Sequence, residues 1–381
     1  MTLDDLKKID SRYAKNIKIF NLIDSKFLTQ KLVVVRKSYY QKAYKSSKSL
    51  VSVEDYRNRR IVNRDPQISK LIEEFLSIIK TKVSKEQYKN IEDKVERINI
   101  VYDDNINGYG LSILENWTIK VKTNVDKHTL FHELLHQVTS IEEKKGAGRK
   151  IFIGLETQDI PFGALEPVRV GVALNEGLTE LLVDNYFKTF HKESYAYEEN
   201  ICKILELILG ENFLSQCYFG NDMQTLQSRC LSLLKSEDPY MFMNFVRSLD
   251  FINFNMKVDT NKYGEKIIKN KKFVLEETSK EIGIFLSRMF ISSLLEDSML
   301  LKSRGIPNDE IKRIQQEKIE NFTKLMQTKH AGLSLDISGT KPTDGSITID
   351  EVLMKEAKIQ ELTNKLSKQE AQYKEEISNC I

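Results

Sequence analysis

The chain has 381 residues, 40% of them hydrophobic and 30% charged, and a net charge of +3. That length buries a large core in one to three domains, and the composition is that of an ordinary globular protein. The small net charge gives no ground for a nucleic-acid partner, and no apolar run reaches the roughly 20 residues of a membrane span.

The start, MTLDDLKKID, is acidic and polar where a secretory leader needs a basic start and an apolar run, so a cytoplasmic location is expected. The first sixty residues carry 15 Lys and Arg against 6 Asp and Glu. This basic segment reads foremost as a solvated helical face. The four cysteines, Cys202, Cys217, Cys230 and Cys380, lack metal-type spacing and read as reduced, mostly buried thiols.

Residues 1–97 form a basic, mostly helical region, with helical periodicity in SKLIEEFLSIIKTKV (69–83) and KEQYKNIEDKVERI (85–98). Then come INIVY (98–102), a turn-rich DDNINGYG, LSIL (111–114) and the alternating TIKVKT (118–123). They predict a small antiparallel sheet whose hairpin, holding Trp117, leads into a helix capped by Asp126 or Thr129. KKGAGRK (144–150) breaks that helix, and IFIGLE (151–156) reads as a further strand or hairpin arm. VALNEGLTELLVDNYFKTF (172–190) is helical again. A helical lobe follows to about 305, with a stop at Gly210 and a breaker at SRGIPND (303–309). A charged helix, a Gly/Ser/Thr/Pro linker over 331–350 and a polar terminal helix complete residues 306–381. In that last helix Val352, Ile359, Leu366 and Tyr373 recur every seven residues, a weak seam for self-association.

The stretch TLFHELLHQVTS (129–140) carries the chemistry. His132 and His136 are four apart, so on a helix their rings converge on one ion, and Glu133 stands beside it where a base can take a proton from water. With 5 histidines in 381 residues, H-E-x-x-H arises by chance in about half a per cent of such chains. A catalytic zinc site needs a third protein ligand. LNEGLTE (174–180) offers Glu176 and Glu180, four apart on an otherwise apolar helix, where two carboxylates need a cation or a donor to offset desolvation. His128, one turn before the motif, is expected at the surface or behind the ligands.

HELLH (132–136) followed by NEGLTE (175–180) resembles the gluzincin class of zinc metallopeptidases, and in particular poorly characterised bacterial proteins of this design. The resemblance spans about residues 98–210, and the 39 residues between His136 and Glu176 exceed the spacing of the best-known members. It implies that His132, His136 and Glu176 bind Zn2+, that Glu133 is the general base, and that Glu180 supports a ligand histidine, His132 first. It also implies an α+β, predominantly helical fold. A zincin-like core at 98–210 would pack a small antiparallel sheet on the metal helix, and a helical lobe would follow at 211–305. The expected reaction is hydrolysis of a peptide or protein substrate, pairing as an extended strand with the strand at 118–123. Tyr186, His191, Tyr195, Tyr197 and Arg169 are the candidates for stabilising the oxyanion. Two other readings compete: a metal-bound scaffold for protein binding with little activity, and a toxin or effector protease.

Overall fold

Helix α1 (Pro66–Ile79) starts where the sequence marks a start: Asp65 accepts from the Gln67 and Ile68 amides, and Pro66 supplies a preset φ. Helix α2 (Lys85–Val95) opens on a capping box between Ser84 and Gln87. The structure, a computed structural model, describes residues 57, 59–62, 64–145, 148–160, 168–189, 195–257 and 265–337. All of them lie in the unit Ser49–Ile337.

Strands β1 (Asn99–Tyr102), β2 (Gly110–Ile113) and β3 (Thr118–Val121) form one sheet in the order β1-β3-β2. The expected antiparallel sheet is corrected here to a mixed one, because β1 runs parallel to β3 while β2 runs antiparallel to it. A short 3-10 turn, Leu114–Asn116, and the left-handed Trp117 fold β3 back on β2, and β1 takes the far side of β3. Alternation of apolar residues says which side chains face inward, not which strand lies alongside. Strand β3 is therefore central, and the two edges of the sheet belong to β1 and β2.

Helix α3 (Lys127–Thr139) carries the H-E-x-x-H motif and runs without a loop into β4 (Ser140–Lys145). Strands β4, β5 (Gly148–Ile153), β6 (Glu156–Ile160) and β7 (Val168–Val170) form a second, antiparallel sheet in chain order. The sequence reading missed β4, whose SIEEKK has no apolar alternation, and IFIGLE turns out to straddle the tight β5–β6 turn at Gly154 and Leu155. Helix α4 (Val172–Phe187) follows, bearing Glu176 and Glu180. Phe75, Phe131 and Phe187 stack where α1, α3 and α4 meet, with centroids 4.4–5.5 Å apart.

Helices α5 (Ala196–Leu209), α6 (Glu211–Phe219), α7 (Met223–Leu234), α8 (Pro239–Lys257), α9 (Glu265–Ser303) and α10 (Asn308–Gln327) complete a mostly helical α+β fold. None of the helices among the described residues is long and apolar enough to cross a membrane. Cys202, Cys217 and Cys230 are free and buried.

The start of the expected 331–350 linker is not loose. Leu333 and Leu335 are buried, Leu335 N–H donates to Met326 O, and Ser279 Oγ donates to Ser334 O. Gly283 permits this contact: a Cβ there would lie 2.3 Å from Leu335 O. Composition suggested a tether, yet the two leucines alternate and bury like a short strand. Residues 338–381, including the heptad seam, the basic segment up to residue 56, and His191 lie outside the described residues.

Candidate metal centre

Asp126 starts α3 by accepting the Thr129 amide at 2.7 Å. The helix is buried on nearly every face, between the first sheet, α2 and α4. Its C-terminal turn is held by Lys94 of α2, whose ammonium donates to Val138 O and Ser140 O, both at 2.8 Å, and lies over the Trp117 ring. Burial lowers this lysine to about 7, and the charge of Arg57 adds to the effect. Helix α4 begins at Gly171 in the left-handed region. Its first amides, of Gly171 and Ala173, donate to the two oxygens of Asp250 from α8, each at 2.8 Å. Burial pushes that carboxyl up to about 6 against both bonds.

The two helices lie antiparallel, so successive turns of one meet successive turns of the other. His132 Nε2 lies 2.9 Å from His136 Nε2 and 3.2 Å from Glu176 Oε2, and His136 Nε2 lies 3.4 Å from the same oxygen. These three residues are the group among the described residues whose ligand atoms gather closely enough to hold a metal ion. Burial alone would lower the His132 imidazole, but Glu176 and Glu180 overcome it and raise it well above its ordinary value. Burial likewise opposes ionisation of Glu176, and His136 and His132 hold it well below the usual carboxylate range. The charges of His132 and Glu176 thus support each other.

Glu133 lies beside this group under β2. Burial raises its carboxyl against the attraction of His132 and His136, and the Ser112 amide donates to it. Gly110 allows the edge strand to come this close. A Cβ at that position would sit 2.7 Å from Glu133 Cγ and 2.9 Å from Thr129 Cγ2.

One turn further along, Glu180 Oε1 lies 3.3 Å from His132 Nδ1, and Glu180 Oε2 lies 2.5 Å from His128 Nε2. Hydrogen bonds from His128 and His132 outweigh burial and bring Glu180 down to about 2. Of the two places expected for His128, the surface or behind the candidate ligands, the structure shows the second. Asn175 lies against the His136 ring: its Nδ2 is 3.3 Å from His136 Nδ1, while its Oδ1 accepts the Leu155 amide at 3.1 Å.

Of the five candidates for an oxyanion donor, the structure brings Tyr195 to the site. Its ring stacks on His132 at 6.0 Å between centroids, and its hydroxyl hydrogen-bonds Glu176. Burial, then the charges of Glu176 and Glu133, hold this phenol well above its ordinary value, so it is a firm donor. Tyr195 has a positive φ of 55° at the start of α5. Gly177 lets that start approach, since a Cβ there would meet the Glu198 backbone at 2.4 Å. The other described candidates serve the framework. Tyr186 bonds Ser215, Tyr197 bonds Ser279, and Arg169 pairs with Glu156 at 2.5 and 2.9 Å.

Asn175, Ser112, Gly110 and Asp250 escaped the sequence reading. Asn175 and Gly110 stood inside stretches already quoted as motif and turn, but nothing in their spacing says what they touch. No family model, curated protein or solved structure matches the chain.

Proposed function

We propose that the protein is a zinc-dependent peptidase of gluzincin type with a zincin-like core. The observation that carries the reading is the convergence of His132, His136 and Glu176. Their ligand atoms are 2.9–3.4 Å apart, close to the roughly 3.3 Å edge of a tetrahedral zinc site with bonds of about 2.0–2.1 Å. Three carboxylates, Glu133, Glu176 and Glu180, surround two imidazoles there, a donor set suited to a divalent cation. Bound at this point, zinc would lower the pKa of a coordinated water toward 7 and polarise the scissile carbonyl.

The chain's own residues supply the rest. Glu133 takes the proton from the attacking water and returns it to the leaving amine. Tyr195 donates to the oxyanion as it develops. Glu180 lies against the far nitrogen of His132. The open edge of β2 runs past Glu133 and takes an extended peptide by strand addition, a role the sequence had put on β3. An intact base favours this reading over an inactive scaffold, which has no use for one.

The test is Glu133→Gln. The variant should keep about one zinc per chain and lose about 10²–10⁴-fold in peptide cleavage. Zinc-loaded variant protein with wild-type turnover would instead favour the scaffold.

A further inference from the structure

We propose that His128 is a positioning residue for the metal centre: it clamps one oxygen of Glu180 and so presents the other to His132 Nδ1. The proposal rests on the metal reading above. Its motif-level form is a third histidine one helical turn before H-E-x-x-H.

The argument is geometric. His128, His132 and His136 stand at successive turns of α3, and Glu176, Glu180 and Asp184 at successive turns of α4. Antiparallel packing interleaves them, so Glu180 falls between two imidazoles. Its Oε2 is 2.5 Å from His128 Nε2 and its Oε1 is 3.3 Å from His132 Nδ1. The side chains of His128 and Glu180 are each 7% exposed, so the contact is sheltered from water.

A carboxylate accepts and does not donate, so His128 Nε2 carries the proton in this bond. On the other side of the ring, Nδ1 faces Thr189 Oγ1 at 3.1 Å and Asp184 Oδ1 at 3.5 Å. In the neutral ring with its proton on Nε2, Nδ1 is the acceptor for the threonine hydroxyl. The last torsion of a glutamate is broad and two-fold, and the contact with His128 restricts it. With that contact, Oε1 stays on His132 Nδ1. When a metal takes Nε2, the His132 proton sits on Nδ1, where the Glu180 oxygen 3.3 Å away favours it. His128 thereby supports a ligand without touching the ion.

The experiment compares zinc affinity, by competition with a chelator, in the wild type and in His128→Gln, His128→Asn and His128→Leu. A glutamine amide nitrogen reaches about where histidine Nε2 lies, and an asparagine amide nitrogen only about where Nδ1 lies. Asn and Leu should therefore weaken zinc binding about 10–100-fold, as loss of an outer partner does, while Gln stays within about threefold of wild type. Wild-type affinity in His128→Leu, or an equal loss in Gln and Asn, overturns the clamp. The Gln and Asn pair decides the matter if the Leu variant fails to fold.

A second measurement needs no metal. In the metal-free protein, a nitrogen-edited proton spectrum should show a protected, strongly downfield His128 Nε2 proton that moves upfield in Glu180→Gln. Its absence refutes the clamp whatever the zinc content. Its presence in a wild-type chain that binds no zinc refutes the metal reading and leaves the His128–Glu180 bond standing.

Discussion

Gly177→Ala separates the placement of Tyr195 from the stability of the fold. A Cβ at 177 would lie 2.4 Å from the Glu198 carbonyl carbon and oxygen, atoms of the α5 backbone that cannot swing aside. Ordinary contact requires α5 to retreat by about 1 Å. Such overpacking costs about 1–3 kcal/mol, and alanine's better helix propensity recovers about 1 kcal/mol in the middle of α4. The net loss is about 0–2 kcal/mol, a fall in melting temperature of at most about 8 °C for a unit of this size. Tyr195 moves with α5, away from His132 and Glu176. A misplacement of about 1 Å costs about 10²-fold in rate, or about 2.7 kcal/mol of barrier. The metal ligands stay on α3 and α4, so zinc content should be unchanged. The assay is zinc analysis, a thermal melt and kcat/KM on a peptide that the wild type cleaves. Wild-type cleavage by a zinc-loaded, slightly destabilised variant would show that Tyr195 has no part in the reaction, and loss of zinc would show that Gly177 serves α4 itself.

Glu176→Ala should lose zinc on dialysis, and full retention would remove it as the third ligand. Lys94→Met tests the buried ammonium through pH. The folded chain holds this lysine at about 7 and the unfolded chain at the ordinary 10.5, so between those values the unfolded state binds the extra proton. Stability therefore rises with pH across that window, by up to about 5 kcal/mol, and the penalty is fully present below 7. Thermal melts at pH 7 and pH 10 should differ less in Lys94→Met than in the wild type, and equal differences would refute the assignment. A chain ending at His330 loses the buried Leu333 and Leu335, so denaturant unfolding should show it less stable by about 3–6 kcal/mol than one ending at Ile337. Equal stability would mean that these leucines do not hold α9 and α10 together.

Whatever depends on the period of a single element could be read in advance. The i, i+4 spacing of His132 and His136, and of Glu176 and Glu180, places each pair on one helix face, because 3.6 residues make a turn. The same holds for the stop at Gly210. These are interactions within one turn of chain, and residue type alone specifies them.

What required the tertiary structure lies between elements far apart in sequence. The antiparallel pairing of α3 with α4 decides that His136 meets Glu176 and that His128 meets Glu180, 52 residues away. The order β1-β3-β2 puts β3 in the centre and makes β2 an edge. Gly110 and Gly177 looked like turn and motif glycines until α3 and α5 were seen against them. Asp250 caps a helix that starts 79 residues before it. Leu333 and Leu335 sit in a run whose composition signals a linker, and they pack because α9 offers a glycine at 283. None of these contacts leaves a periodic trace, because each is set by how loops close and surfaces fit, and many pairings of the same local elements satisfy the same pattern.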